Sequence, residues 1–235
     1  MLSRRTRAAL LGATLLVTGG AAVAIAQATG SVYDPAQMPE LHGKVRSYDL
    51  TPRGDVDGLI LEDGTEVHFP PHLGLQVVAA VRPGETVTIH GLRARSLPLV
   101  QAMSVTGDAS GKTVVDNGPP APGQRPPAPP GPGQELRAQG EVRMQLHGPR
   151  GELNGVLLAD GTMVHLPPSE ASRLAAQLEP GDMVVVRGEG VEGALGRSIA
   201  VRSIGPAEDK LTQVAAPPPP PHGPRYPGGP DAGRR

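Results

Sequence analysis

The chain has 235 residues, with 32 Gly, 28 Pro, only 2% aromatic residues, no Cys and a formal net charge of −1. The lack of cysteine excludes disulfides, zinc–thiolate centres, thiol nucleophiles and a lipidated cysteine, and the near-zero charge offers no basic stripe to nucleic acid. With one Phe, three Tyr and no Trp, any folded unit must be small and aliphatic, because aromatics supply much of the buried area per residue.

The chain opens on MLSRRTRAALLGATLLVTGGAAVAIAQATG. A basic start (Arg4, Arg5, Arg7), an apolar run from about Ala8 to Ile25 and then Ala26-Gln27-Ala28 form the order of a secretory signal, with cleavage expected after Ala28. Residues 1–28 are therefore assigned as a signal peptide and 29–40 as a linker. The alternative is an uncleaved anchor, since the apolar run approaches a bilayer span, although Gly12, Gly19 and Gly20 weaken a spanning helix. Arg4-Arg5 raises a twin-arginine export route, but the bulky apolar residue expected two positions beyond the pair is missing. The expected location is the periplasm or the extracellular space.

Residues 43–91 align with 140–188 without a gap at an offset of 97, with 20 identities in 49 positions. The chain thus holds two copies of one unit of about 65 residues. In the first copy, strands are predicted at Gly43 to Leu50, Leu59 to Glu62 and Thr65 to Phe69. A helix follows from about His72 to Val81, then strands at Thr86 to Gly91 and Leu99 to Thr106. In the second copy Ser169 is the N-cap candidate, EASRLAAQL follows it, and Pro180-Gly181 stops the helix. Asn117 to Gln134 is an extended proline-rich spacer, and the tail from about Val214 has the same character and is expected to be disordered.

Three strands, a helix and two strands is the order of the OB-fold, a small five-stranded barrel. On that strand order and turn placement, over both repeats, the chain resembles exported bacterial OB-fold-like domain proteins. The resemblance implies a mainly β chain of two tandem OB-like barrels, each with one short helix between its third and fourth strands, and it carries no catalytic motif. An SH3-like barrel is the alternative fold, and the helix placement speaks against it. The expected barrels occupy 41–107 and 137–206, separated by a Pro/Gly-rich linker at 108–136 and followed by a tail at 207–235.

Register decides where the histidines of DGTEVHFPPH and DGTMVHLPPS point. A three-residue loop Glu62-Asp63-Gly64, with Gly64 left-handed, pairs Leu61 with Thr65. Leu59, Leu61, Val67 and Phe69 then face inward, while Ile60, Glu62, Glu66 and His68 face outward. In the second copy Val156, Leu158, Val164 and Leu166 face inward, with Leu157, Ala159, Met163 and His165 outward. His68 sits across from Gly58 and His165 across from Gly155, both expected to face solvent. Such a ring either lines a binding surface on the sheet face that OB-folds use for ligands or covers a glycine gap in the strand pair.

The candidate ligand-binding residues are therefore His68 and His165, with the repeated arginine pairs Arg46/Arg143 and Arg53/Arg150 as anion contacts. For a metal, the first copy offers His42, His68, His72 and His90, and a His68–His90 pair on one sheet face is the candidate. The second copy has Ser169 and Arg187 in the places of His72 and His90, and the spacing matches no closed ligand set. Asp55-Val-Asp57 with Glu66 imitates a calcium loop, but Leu59 and Ile60 stand where a ligand and the required glycine belong. Ser47, His68 and Asp63 have no nucleophile spacing. Gly54, Gly58, Gly64, Gly84 and Gly91 open no phosphate-binding helix.

The expectation is a non-enzymatic exported binding or structural protein of the bacterial cell envelope. Its partner would be an envelope ligand, a glycan or a protein, with membrane contact only through a retained N-terminal segment. No cofactor is expected. The alternative is a periplasmic metal-binding or stress-linked protein using a transition metal on the histidine-bearing faces. A single-stranded nucleic-acid binder ranks below both, because no stacking platform is repeated: Gln145 replaces Tyr48 and Phe69 points inward.

Overall fold

A computed structural model describes residues 34–119 and 133–215. The expected signal peptide, most of the spacer and most of the tail lie outside the described residues. Among the described residues no helix is long and apolar enough to cross a membrane.

The first barrel contains β1 (Glu40–Leu50), β2 (Val56–Leu61), β3 (Glu66–His68), α1 (Gly74–Ala80), β4 (Thr86–Arg93) and β5 (Leu99–Gly107), with a short β6 (Thr113–Val115) beyond it. The second contains β7 (Gln134–His147), β8 (Leu153–Leu158), β9 (Thr162–His165), α2 (Pro168–Leu174), β10 (Met183–Gly193) and β11 (Gly196–Gly205), followed by β12 (Thr212–Gln213). In the first, β1 pairs with β2 and β4, β2 with β3, β4 with β5, and β3 closes on β5 in parallel. The second closes in the same way through the parallel pair β9–β11. Two closed five-stranded barrels with a helix after the third strand are the OB-like architecture.

The repeat extends to the backbone. β1 shifts register between Val45 and Ser47 and between Asp49 and Leu50, and β7 does so at the equivalent Val142/Met144 and Leu146/His147. Such bulges bend a strand enough to close a small barrel. The β2–β3 loop has the expected three-residue form: Leu61 N–H donates to Thr65 O at 2.9 Å, Ile60 pairs with Glu66, and Gly64 has φ +86°. Asp63 Oδ1 accepts from Thr65 N–H at 2.9 Å, and Asp160 Oδ1 from Thr162 N–H at 2.8 Å, so each turn is tied by its own aspartate. The helix ends are tied alike, for Tyr48 Oη–H donates to Val81 O and Gln145 Nε2–H to Leu178 O, again 97 positions apart.

Three expectations are corrected. The segment assigned to the linker from residue 108 contains β6, whose β-branched run pairs with Ser104–Thr106 and buries Val114 against the first core. Likewise β12 continues the second sheet inside the expected tail, pairing with Ser203 and Ile204. Ser169 is not the N-cap: α2 starts at Pro168, whose fixed φ suits a first helical position, and Ser169 falls in the exposed first turn.

Leu59, Leu61, Val67 and Phe69 line the first core, and Val156, Leu158, Val164 and Leu166 the second. Replacing the fully buried Leu59 with Ala is expected to lower stability by about 2–5 kcal/mol. Urea unfolding should show it as a lower midpoint at unchanged slope.

Candidate functional site

The outward rows of the two barrels do not meet water; they meet each other. On the first barrel the outer face of β1, β2, β3 and β5 carries Ser47, Ile60, Glu66 and Leu99 in one row, and Asp49, Gly58, His68 and Gln101 in the next. On the second, the matching rows are Met144, Leu157, Met163 and Ser198, then Leu146, Gly155, His165 and Ala200. Leu146, Leu157 and Met163 are buried in one cluster with the core residues of the first barrel.

The contact repeats itself about the junction. Leu50 N–H donates to Met163 Sδ at 3.1 Å, and the equivalent His147 N–H donates to Glu66 Oε2 at 2.7 Å. Each β1–β2 type turn also lies against the other barrel's connection between its last two long strands. Gly54 faces Val191, Gly196 faces Leu50, and Gly151 faces Leu97. Ser198 Oγ–H adds a bond to Thr51 O at 3.0 Å.

The two halves differ in chemistry at this point. Glu66 is fully buried, and its second oxygen lies 2.7 Å from His147 Nδ1, so one carboxylate takes both the backbone and the ring N–H of His147. His68 Nε2 is 3.9 Å from Glu66 Oε2 and has no hydrogen-bond partner among the described residues. Burial holds the His68 imidazolium below its ordinary pKa, while the Glu66 charge pulls the other way. Burial raises the Asp49 carboxyl well above the usual carboxylate range, reinforced by the charges of Asp57 and Glu66. Burial likewise lifts Asp57 to about 7, with Asp55 adding to the rise. In the second barrel burial lowers His165 to about 4, opposed by its hydrogen bond with the Leu50 backbone.

These placements correct the sequence expectation for His68 and His165. Each ring points away from its own core and lies across from its glycine, as the register requires. A Cβ at Gly58 would stand 2.7 Å from Val67 O, and one at Gly155 2.2 Å from Val164 O, so neither position admits a side chain of its own. What covers the rings is the other barrel: His68 is 5% exposed. They are junction residues and line no open binding surface.

The other candidates are scattered. His68 shares a row with Gln101, whereas His90 faces Ser104, further along β5 and on the strand beyond it. Two strand spacings, about 10 Å, separate those strands, so the His68–His90 pair does not form. Arg46 Nη2–H donates to Glu62 O at one end of β2. Arg53 stands in the turn at the other end, roughly 20 Å away at strand rise, so the two build no single anion site. Arg143 is exposed, and Arg150, also exposed, lies 3.7 Å from Glu152. Ser47 Oγ is buried without a partner among the described residues, and Asp63 is spent on its own turn. His147 escaped the sequence reading. The signal was a paired departure from the repeat, since Leu50 becomes His147 where Glu66 becomes Met163. Away from the junction, a cavity of about 320 Å³ opens in the second barrel beside Leu174, Leu178, Met183, Val184, Ile204 and Pro206.

No family model matches the chain, and none of the curated proteins does. Among solved structures it is similar to the wild-type single-stranded DNA binding protein from Thermus aquaticus, at 13% identity over 79% of this chain and 96% of that one, with a TM-score of 0.21. A deletion mutant of that protein gives 13% identity, 78% and 96% coverage, and the same TM-score.

Two outcomes are expected at the junction. Glu66→Met alone strands the His147 donors and should cost about 3 kcal/mol, whereas Glu66→Met with His147→Leu copies the Met163/Leu50 pair and should return to within about 1 kcal/mol of the parent. A double variant no more stable than the single in urea would refute the pairing. The raised Asp57 pKa makes the folded state bind the extra proton, so its contribution is present in acid and lost as pH rises from about 4 to 7. Asp57→Asn, the residue at the equivalent Asn154, should therefore gain roughly 2 to 4 kcal/mol at pH 8 over the parent and little at pH 4, read from unfolding curves at the two pH values.

Proposed function

We propose that the chain is a non-enzymatic binding or structural protein of the bacterial cell envelope, exported by its N-terminal segment and built from two OB-like barrels acting as one module. The observation that carries this reading is the use of the sheet face. OB-folds bind oligonucleotides and oligosaccharides with the face of strands 2 and 3 and the loops joining strands 1–2 and 4–5. Here those elements of both barrels are buried against each other. A partner therefore meets the outside of the pair, where the open cavity of the second barrel is one apolar place to receive it. The proline-rich spacer and tail suit a module held at a distance from its attachment.

Single-stranded nucleic acid, the ligand in the names of the Thermus aquaticus proteins, is the competing reading. It requires exposed aromatic platforms and a basic groove, and Tyr48 and Phe69 are both buried. Two measurements test the proposal. A full-length fusion to a reporter enzyme that is active only after disulfide formation outside the cytosol should be active; an inactive fusion at normal abundance refutes export. Titration with a labelled oligonucleotide at low salt should give no binding, and binding that weakens linearly with log salt would move the assignment to nucleic acid.

A further inference from the structure

The junction leaves unused a second histidine cluster, on β1 and β4 of the first barrel. Glu40 stands directly opposite His90 and His42 directly opposite Thr88, so the three side chains share one face with the two rings on a diagonal. His42 Nε2 lies 2.5 Å from Glu40 Oε1, and His90 Nε2 lies 3.3 Å from Glu40 Oε2. The far side of each ring is held by a hydroxyl: His42 Nδ1 is 3.0 Å from Thr88 Oγ1, and His90 Nδ1 is 3.5 Å from Ser104 Oγ.

Hydrogen bookkeeping then constrains the near side. An ionised carboxylate only accepts, so the Thr88 hydroxyl, 3.0 Å from Asp108 Oδ1, gives its hydrogen to Asp108. It can only accept from His42, whose Nδ1 must carry the ring hydrogen. In a neutral imidazole the other nitrogen, Nε2, is then a bare lone pair, and it faces a carboxylate oxygen at 2.5 Å. Two lone pairs at that distance repel unless positive charge lies between them. A cation shared by the rings and the carboxylate removes that repulsion.

The second barrel meets the same need with fixed charge. At the positions of Glu40, His42 and His90 it has Arg137, Gln139 and Arg187. Both guanidiniums converge on Glu208, with Arg137 Nη2 at 2.7 Å and Arg187 Nη2 in direct contact. Two permanent cations surround a carboxylate there, where the first barrel sets two imidazoles around one.

We infer that Glu40, His42 and His90 form a surface site for a borderline transition-metal dication of the zinc, nickel or copper(II) class. Two imidazole nitrogens and a carboxylate are ligands those ions accept, and the bond to Thr88 fixes the His42 tautomer that turns its Nε2 toward the metal. Among the described residues no three such side chains already stand placed to hold a metal ion, since each Glu40 oxygen contacts one of the two rings. Side-chain exposures of 50% for Glu40 and 65% for His42 allow the carboxylate to swing aside, and water completes the shell. The site stands whether or not the chain is exported, and it uses none of the junction histidines.

The test is calorimetric titration of the full-length chain with zinc, nickel and copper(II) salts in a non-chelating buffer. At least one metal should bind at one site per chain. His42→Gln with His90→Arg, which installs the residues of the second barrel on an exposed face, should weaken that binding at least tenfold, and Glu40→Gln should weaken it less. His72→Ala should leave it unchanged. Absence of binding by all three metals, or binding that survives the double substitution in a variant with parental circular dichroism, overturns the inference.

Discussion

Burying two sheet faces against each other governs this molecule. Each barrel alone would leave an outer patch of Ile60 and Leu99, or of Met144, Leu146, Leu157 and Met163, open to water. Contiguous apolar surface of that kind is rarely left uncovered in a soluble monomer. Placing one patch on the other removes both, and the polar residues that share the face are carried into the dry contact with them. Glu66, Asp49 and His68 are therefore buried, and His165 half-buried, because of where their neighbours must go. The shifted acidities of Asp49, His68 and His165 follow from burial, and Glu66 is tolerable there because His147 supplies two donors to it. A buried polar pair of this type is weak evidence of added stability.

The junction also explains why the chemistry of the repeat is spread as it is. Residues inside each barrel are constrained by the same closed sheet, so turns, bulges and helix ties recur at matching positions. Residues outside are constrained by different neighbours. Tyr48 and Gln145 keep one function, a bond to the carbonyl just past the helical segment, with different side chains. Asp57 and Asn154 keep one shape, but only Asp57 pays a charge penalty above neutral pH.

Much of the fold was legible in the residues themselves. The inward set Leu59, Leu61, Val67 and Phe69 admits one hairpin register, and Gly64 between them names the loop, because a side-chain period of two leaves no intermediate choice. The small strands β6 and β12 were hidden, since strands of three and two residues beside proline-rich sequence give too short a period to read. The site was legible only in part. Alternation placed His68 and His165 on the outer face, but a reading of one barrel cannot tell water from a second barrel. Apolar Ile60, Leu157 and Met163 on that same face were the warning that it is covered. The His42–His90 diagonal depends on the register between strands more than forty residues apart, which no local pattern carries.

The matched bonds from Leu50 to Met163 and from His147 to Glu66 have a consequence for how the pair assembles. Two identical barrels meeting through this face would make a symmetric dimer, whose population would depend on concentration and in which every substitution would appear twice across the axis. Joining both copies in one chain makes the encounter intramolecular, at an effective concentration set by the spacer. It also frees each copy to change alone. A carboxylate on one side and a thioether on the other is an arrangement that a pair of identical barrels cannot hold.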